Sequence, residues 1–224
     1  MKLFAKPSTA ILGSLSAIVA VFCFSTNDVA IKFISKDYAL HLVVLIRSLV
    51  GLIVLFLFIV PLSGGIKVLY TNRLGLHLLR GFCVVFANIT FFLGLAALPL
   101  AEGVAIFFIS PLLITIFSVI FLKEIVGPRR WAAVTIGLIG VLVILRPGSA
   151  TFQTASLLPL SAAFGYATLH MLTRYIGKTE SAASMSFYIQ LTFLVVCLTL
   201  GLTIGDGKFS GWNDPSLEFL FRAW

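Results

Sequence analysis

Charged residues are scarce in this sequence. Only 11% of its 224 residues are Asp, Glu, Lys or Arg, against about 25% in soluble domains. Hydrophobic residues make up 60% of the chain, and the mean hydropathy is +1.12. A soluble domain of this size would leave large apolar patches in contact with water. The composition therefore excludes a soluble protein and predicts one embedded in a membrane.

Acidic residues are scarcer than basic ones, at 8 against 16, which gives a formal net charge of +8. Proteins that bind nucleic acid gather Lys and Arg on one solvated face. In this chain the basic residues lie in short runs between apolar segments, an arrangement that sets orientation in a bilayer. We therefore expect a lipid bilayer around the chain and no nucleic-acid partner.

The sequence also lacks the common patterns of metal and catalytic sites. Cys23, Cys83 and Cys197 are isolated within apolar segments, so neither a disulfide framework nor a cysteine metal site is predicted. The three His residues form no H-E-x-x-H motif, and there is no G-x-S-x-G nucleophile motif. We expect no metal, no cofactor and no enzymatic activity, with a membrane-embedded enzyme kept as an alternative.

Long apolar segments account for most of the chain. A helix of about 20 residues crosses a hydrocarbon core of about 30 Å. Seven segments approach this length: Ala10–Ile34, Leu40–Pro61, Gly81–Leu98, Glu102–Leu122, Trp131–Leu145, Leu157–Tyr175 and Ser184–Ile204. An eighth begins near Leu217, and the residues up to Trp224 would reach only about 12 Å as a helix. We predict an all-α polytopic membrane protein whose last span is cut short.

The distribution of Lys and Arg predicts the orientation of these spans, because positive residues favour cytoplasmic loops. With the N-terminus in the cytoplasm, the inner side holds ten basic residues: Lys2, Lys6, Lys67, Arg73, Arg80, Lys123, Arg129, Arg130, Arg174 and Lys178. The outer side holds four: Lys32, Lys36, Arg146 and Lys208. We therefore expect a multi-pass protein of the cytoplasmic (inner) membrane with a cytoplasmic N-terminus.

A weak internal repeat relates the first apolar segment to the sixth. A shift of 142 positions places Lys32-Phe33-Ile34 on Arg174-Tyr175-Ile176, and Asp28 on His170. The second copy is five spans after the first, an odd number, so it enters the membrane from the opposite side. Inverted repeats are typical of secondary transporters, which bind substrate near the midplane between the halves. Chance similarity between apolar segments is the alternative.

The central third of the chain carries a more specific pattern. Its elements, in order, are Pro99-Leu100-Ala101-Glu102-Gly103, Ser110-Pro111-Leu112, Phe121-Leu122-Lys123-Glu124, Gly127-Pro128-Arg129-Arg130-Trp131, Gly137-Leu138-Ile139-Gly140 and Arg146-Pro147. This order resembles the EamA-type branch of the drug/metabolite transporter superfamily. The resemblance implies ten helices in two inverted five-helix repeats, both termini in the cytoplasm, and a central substrate cavity. On that basis residues 10–147 form the first repeat. Residues 155–224 form an incomplete second repeat of two helices and the start of a third.

The resemblance also implies a function. Members of this family are secondary transporters that move small metabolites by alternating access. Asn27-Asp28 together with Arg47 is similar to members that take up S-adenosylmethionine. Other members move riboflavin or amino acids, so the substrate stays open. A truncated fragment that does not transport is the alternative for this chain.

Two ionisable residues are predicted at similar depths in adjacent helices. Asp28 lies about 6–9 Å below the outer end of the first span, and Arg47 about 10 Å below that of the second. An unpaired charge at a helix centre costs about 2.5–3.5 kcal/mol, and pairing reduces that cost. Two interpretations stay open. The residues form a structural ion pair, or they face a cavity and bind a charged substrate group or exchange a coupling proton.

Other polar residues inside the spans complete the predicted site: Asn27, Asn88, Tyr166, His170 and Gln190. Interhelical hydrogen bonding is the alternative for the amides, and simple packing is the alternative to proton handling for His170. Pro111 predicts a helix kink, because proline removes a backbone hydrogen bond and frees a carbonyl near Phe107.

Small residues predict where helices approach each other closely. Gly137 and Gly140 lie in one predicted span, and Gly201 and Gly205 have the small-xxx-small spacing of membrane helix contacts. The second pair is compatible with a homodimer interface.

Overall fold

The computed structural model describes residues 9–145 and 153–223. Its helices, in chain order, are α1 (Thr9–Ile34), α2 (Leu40–Val54), α3 (Val60–Leu62), α4 (Leu74–Ala97), α5 (Leu100–Phe107), α6 (Ser110–Leu122), α7 (Pro128–Leu145), α8 (Leu157–Ile176), α9 (Ala182–Ile204) and α10 (Pro215–Phe221). A π-helical turn at Leu55–Ile59 joins α2 to α3, and 3₁₀ turns precede α4 and α8. The described ranges contain no β-strand, which confirms the all-α class.

Six helical segments of the described ranges are long and apolar enough to cross a membrane. They are Leu12–Ile34, Leu40–Leu62, Leu74–Ala97, Leu100–Leu122, Thr154–Ile176 and Ala182–Ile204. Each corresponds to a predicted span. The remaining predicted span, Trp131–Leu145, lies within α7, which has 18 residues and begins with Pro-Arg-Arg. The structure thus supports a polytopic membrane protein.

Consecutive spans run antiparallel, so the bundle has two ends. We call the end at which α1 begins the proximal end, and the end at which α1 finishes the distal end. The proximal end carries residues 63–73, 123–127 and 177–181. The distal end carries residues 35–39, 98–99 and 205–214. The predictions for Arg146 and Pro147 lie outside the described residues.

The central helix of the bundle is α4. It packs against α1, α5, α8, α9 and α10, and its buried residues extend from His77 to Leu95. The largest cluster of buried apolar side chains includes Phe92 of α4, Leu172 of α8 and Phe193 of α9. Any cavity beside α4 is therefore lined by several helices at once.

The predicted start of the third span at Gly81 is wrong. The helix begins at Leu74, seven residues earlier, and contains Arg80. Arg80 was expected at the membrane edge because it is charged. It is accommodated inside because Thr173 and the carbonyl of Met185 accept hydrogen bonds from its guanidinium.

Glycines allow α4 to approach its neighbours closely. A Cβ atom added at Gly81 would lie 2.8 Å from the Cβ of Thr192 in α9. One added at Gly165 in α8 would lie 2.8 Å from Cδ1 of Phe86. Real Cβ atoms do not approach that closely, so these contacts between helices require glycine.

The predicted glycine contacts in α7 are wrong. A Cβ at Gly137 or Gly140 would meet no atom within 4 Å. This helix packs mainly against α5 and α6, and the two glycines lie on its exposed surface. Close approach is decided by which helices are neighbours, and a glycine on an outer face has no neighbour to approach.

Candidate functional site

A cavity of about 230 Å³ lies inside the bundle, between α1, α2, α4, α5 and α8. Apolar and aromatic side chains form most of its wall, and a few polar groups interrupt them. The lining residues are Val21, Phe24, Ser25, Asn27, Asp28, Arg47, Ala87, Asn88, Phe91, Phe92, Val104, Phe107, Phe108 and Tyr166. An apolar wall with few polar groups is typical of small-molecule binding sites.

The cavity lies in the distal half of the bundle, towards its middle. Asp28 is six residues from the end of α1, and Arg47 is seven residues from the start of α2. Tyr166 is nine residues from the start of α8. At 1.5 Å per residue these side chains lie about 9–14 Å from the distal end. A hydrocarbon core about 30 Å thick would have its midplane near the inner limit of this range.

The direct contacts of the Arg47 guanidinium are with neutral groups. Its Nη2 donates to Oδ1 of Asn88 at 3.0 Å, and Nδ2 of Asn88 donates to the carbonyl of Val84 at 3.0 Å. The guanidinium carbon lies 5.3 Å from the ring centre of Phe92 and 5.2 Å from that of Phe193. Both distances allow cation–π attraction. The guanidinium is therefore held by an amide and two aromatic faces.

Asp28 lines the same cavity but is not the hydrogen-bond partner of Arg47. Its Oδ1 accepts from Nδ2 of Asn27 at 3.4 Å. None of the ion pairs among the described residues joins Asp28 to Arg47. The reason is the packing, since α1 contacts α4 and α5 while α2 packs mainly on α9. The structural ion pair, one of the two interpretations of the sequence, is not formed.

The other predicted site residues divide into two groups. Asn27, Asn88 and Tyr166 line the cavity with Asp28 and Arg47. His170 does not line it, but its ring contacts that of Tyr166 with 4.3 Å between the centres. Gln190 lies between helices instead, because a Cβ added at Gly51 of α2 would come within 2.9 Å of its Cδ.

Pro111 follows an interruption between two helices. Phe108 and Ile109 separate α5 from α6, and Pro111 is the second residue of α6. Because proline has no N–H, it gives no helical hydrogen bond to the carbonyl of Phe107. Phe107 and Phe108 both line the cavity. The position where the sequence predicts a kink is thus a break in the helix at the cavity wall.

A polar cluster at the proximal end was not predicted. Oγ1 of Thr71 donates to Oε1 of Glu180 at 2.8 Å, and Nε2 of His77 lies 3.3 Å from Oε2. Burial raises the pKa of the Glu180 carboxyl, but contacts with Thr71, His77 and Ser184 outweigh it and hold this pKa below its ordinary value. No local sequence signal identifies this cluster, because Thr71 and Glu180 are 109 positions apart in the chain.

Metal binding finds no support in the part of the chain that the structure describes. Residues 9–145 and 153–223 contain no group of His, Cys, Asp and Glu side chains that could hold a metal ion.

Proteins similar to this chain are named as transporters of several small molecules. The riboflavin transporter of Vibrio cholerae is 32% identical over 207 residues, 91% of this chain and 67% of that protein. The S-adenosylmethionine uptake transporter of Rickettsia bellii is 29% identical over 181 residues, 81% of this chain and 62% of that protein. The pseudopaline exporter of Pseudomonas aeruginosa is 24% identical, over 95% of this chain and 70% of the exporter. The chain spans about two thirds of the length of these relatives. No solved structure gives a significant match.

The residues that match a known protein family include most of the cavity wall. A model described as the EamA-like transporter family matches residues 11–146, more than half of the 224 residues. The match includes every residue of the cavity wall except Tyr166. It confirms the resemblance seen in the central third of the sequence. The chain therefore belongs to the EamA-like transporter family, whose named members are membrane transporters and not enzymes.

Proposed function

We propose that this chain acts in the secondary transport of a small metabolite across the cytoplasmic membrane. Residues 10–147 and 155–224 would belong to two inverted repeats that alternate access to the cavity. Three observations support the proposal: the family match, the transporters among the relatives, and a cavity that extends towards the middle of the bundle.

The wall of the cavity favours a substrate with a flat aromatic ring system. The ring centres of Phe91 and Phe107 are 4.6 Å apart, and those of Phe107 and Tyr166 are 5.2 Å apart. These rings are tilted to their neighbours by 42° and 59°, and a planar ligand that stacks on the face of any of them gains stacking energy. Riboflavin and S-adenosylmethionine, named for two relatives, both contain a flat heteroaromatic ring system.

Arg47 indicates a second feature of the substrate. The hydrogen-bond acceptor of Arg47 is the neutral amide of Asn88, so an anionic group entering the cavity would find a cation that no carboxylate of the described residues contacts directly. Charge-assisted hydrogen bonds are about twice as strong as neutral ones. We therefore assign to the substrate a carboxylate or phosphate that binds Arg47, in addition to the flat ring.

Asp28 is assigned the complementary role. Its carboxylate lies in the cavity wall beside Asn27, and would bind a cationic group of the substrate or exchange a coupling proton. Ionisable residues that face a cavity inside a membrane protein commonly serve these purposes.

Matched ligand pairs test the assignment to Arg47. Riboflavin is compared with riboflavin 5′-phosphate, and S-adenosylmethionine with its decarboxylated form, because the members of each pair differ in one anionic group. Equilibrium binding to the purified chain in lipid nanodiscs is expected to favour the anionic member of at least one pair. Arg47→Gln should weaken binding of that member about 10- to 100-fold, the loss of one charge-assisted interaction. It should change binding of the other member little.

The control is Arg129→Gln, because Arg129 is exposed at the start of α7 and away from the cavity. Equal affinity for both members of each pair, or an unchanged affinity in Arg47→Gln, would reject the anionic substrate. Uptake of the same labelled ligands into proteoliposomes is measured separately. Binding without uptake would retain the site and reject transport by this chain.

A further inference from the structure

Arg80 is a further ionisable residue inside the bundle, and the proposed binding site does not use it. It lies on α4, seven residues from Ala87 in the cavity wall, or about 10 Å closer to the proximal end. Arg80 is 4% exposed. Its Nε donates to Oγ1 of Thr173 in α8 at 3.0 Å, and its Nη1 to the carbonyl of Met185 in α9 at 3.3 Å. One guanidinium therefore joins three helices.

A charge is a costly way to make this link. Among the described residues Arg80 forms no ion pair, so a hydroxyl and a carbonyl are its acceptors. Taking a charge out of water carries a desolvation cost that two neutral acceptors do not fully offset. A neutral side chain would join the helices without that cost. An ionisable residue deep within a membrane span is therefore a candidate for a functional role.

Arg80 lies between the cavity and the proximal end. On α8, Tyr166 lines the cavity, and the ring of His170 contacts it on the proximal side. Thr173 follows seven residues after Tyr166, which again corresponds to about 10 Å. The hydrogen bond from Arg80 to Thr173 thus joins α4 to α8, two of the helices that line the cavity, on the proximal side of the cavity.

Two further contacts hold α4 and the segment before it against α8 and α9 on the proximal side of the cavity. Gly81, next to Arg80, packs directly on Thr192 of α9, where a Cβ would lie 2.8 Å from the Thr192 Cβ. At the proximal surface, Thr71 donates to Glu180 at 2.8 Å and links the segment before α4 to the α8–α9 connection. A path from the cavity to the proximal end between α4 and the pair α8–α9 therefore requires these helices to separate.

We propose that Arg80 is the gate residue between the cavity and the proximal end, an inference that rests on the transport function proposed above. In the closed conformation of the structure, the guanidinium holds α8 and α9 against α4. In the open conformation these two helices move away, Thr173 and the Met185 carbonyl are released, and water reaches the guanidinium. Hydration of the charge then offsets the lost hydrogen bonds. The two conformations stay close in free energy, as a transport cycle requires.

Chemical access to the cavity from each side tests this gate. In a chain with Cys23→Ser, Cys83→Ala and Cys197→Ala, the substitution Ala87→Cys places a thiol in the cavity wall. The protein is reconstituted into phospholipid vesicles with a protease site before its first residue. Cleavage by added protease identifies the molecules whose proximal end faces outward. A membrane-impermeant maleimide is added outside, and mass spectrometry gives the modified fraction of cleaved and uncleaved molecules.

Arg80→Gln is expected to raise the modification rate from the proximal side about tenfold, which corresponds to about 1.4 kcal/mol of lost closing energy. The rate from the distal side should change little. Thr173→Val removes one acceptor but keeps the charge, so its increase should be smaller. Arg73→Gln is the control, because Arg73 is an exposed arginine at the same end, and it should leave both rates unchanged.

An unchanged proximal rate in Arg80→Gln and Thr173→Val would overturn the gate, as would an equal increase from both sides. If Arg80→Gln fails to fold, the rate in Thr173→Val decides the question. Binding and uptake of the labelled ligands are measured on the same preparations. Normal binding with an unchanged proximal rate rejects the gate alone. A raised modification rate from the proximal side without binding or uptake rejects the transport function. It retains the proposal that Arg80 holds α8 and α9 against α4.

Discussion

Lys32 shows how one residue can stabilise the distal end of the bundle. Its ammonium donates to the carbonyls of Leu95 at 2.5 Å, Ala96 at 3.2 Å and Leu98 at 2.7 Å. The last carbonyls of a helix lack partners within that helix, and they lie at the negative end of its dipole. A charge that the sequence analysis counted on the outer side of the membrane therefore caps α4 and joins α1 to it.

Lys32→Met is expected to lower the free energy of unfolding by about 2 kcal/mol, since hydrogen bonds from a charged donor contribute about 1.5–3 kcal/mol. The matched control is Lys36→Met, because Lys36 lies one helical turn further on and is exposed. Denaturant unfolding in detergent micelles, followed by circular dichroism, gives both values. Equal losses in the two variants would contradict the capping role.

Among the elements, the pair α4 and α8 positions the cavity wall. Gly165 is the point of closest approach, where an added Cβ would lie 2.8 Å from Cδ1 of Phe86 and 3.2 Å from the backbone carbonyl of Cys83. The phenylalanine could move, but the carbonyl belongs to α4 itself. This contact positions the next residue, Tyr166, in the cavity wall.

Gly165→Ala is expected to push α8 away from α4 and to lower the free energy of unfolding by about 1–3 kcal/mol, the usual cost of overpacking. Gly137→Ala in α7 is the control, because a Cβ there meets no atom within 4 Å. Alanine is the better helix former, so the control should be unchanged or more stable by up to about 1 kcal/mol. Thermal unfolding in the same detergent measures both. A stabilised Gly165→Ala would show that the two helices are not in close contact.

The interruption between α5 and α6 also shapes the cavity wall. Phe108 and Ile109 separate the two helices, and Pro111 prevents the usual hydrogen bond to the Phe107 carbonyl. Discontinuous helices beside a central site are a recurring feature of secondary transporters. In this chain the break turns Phe107 and Phe108 towards the cavity.

At the scale of the whole molecule, the positive charges differ between the two ends. Near the proximal end lie Lys67, Arg73, Lys123, Arg129, Arg130 and Lys178, whereas the described distal loops hold Lys36 and Lys208. Because Lys and Arg favour the cytoplasmic side, this distribution predicts that the proximal end, and with it the N-terminus, faces the cytoplasm.

Single cysteines test this orientation in a background without the three native cysteines. Ser63→Cys lies at the proximal end and Ser210→Cys at the distal end, and both serines are exposed. In intact bacteria a membrane-impermeant maleimide should label Ser210→Cys. It should label Ser63→Cys only after the cells are permeabilised. The reverse pattern would place the N-terminus outside.

The sequence identified the polar residues of the candidate site better than its aromatic residues, because polar residues are unusual in a membrane span. Asp28, Arg47 and Asn88 were identified because polar groups there are rare, and all three line one cavity. Lys32 and Arg80 were counted with the outer and inner sides of the membrane because they lie near span ends. The aromatic wall was not predicted, since 21 Phe residues give no local signal for the few that face inward.

The sequence by itself determined that the chain is an all-α membrane protein of the EamA-like type, because hydropathy, span length and motif order are local properties of a chain. Only the tertiary structure decided which polar groups meet. It pairs Arg47 with Asn88 rather than Asp28, and Arg80 with Thr173. The physical reason is that hydrogen-bond partners depend on which helices are neighbours. Those neighbours are selected by packing between distant segments, as at Gly165 against α4, and no local pattern records that contact.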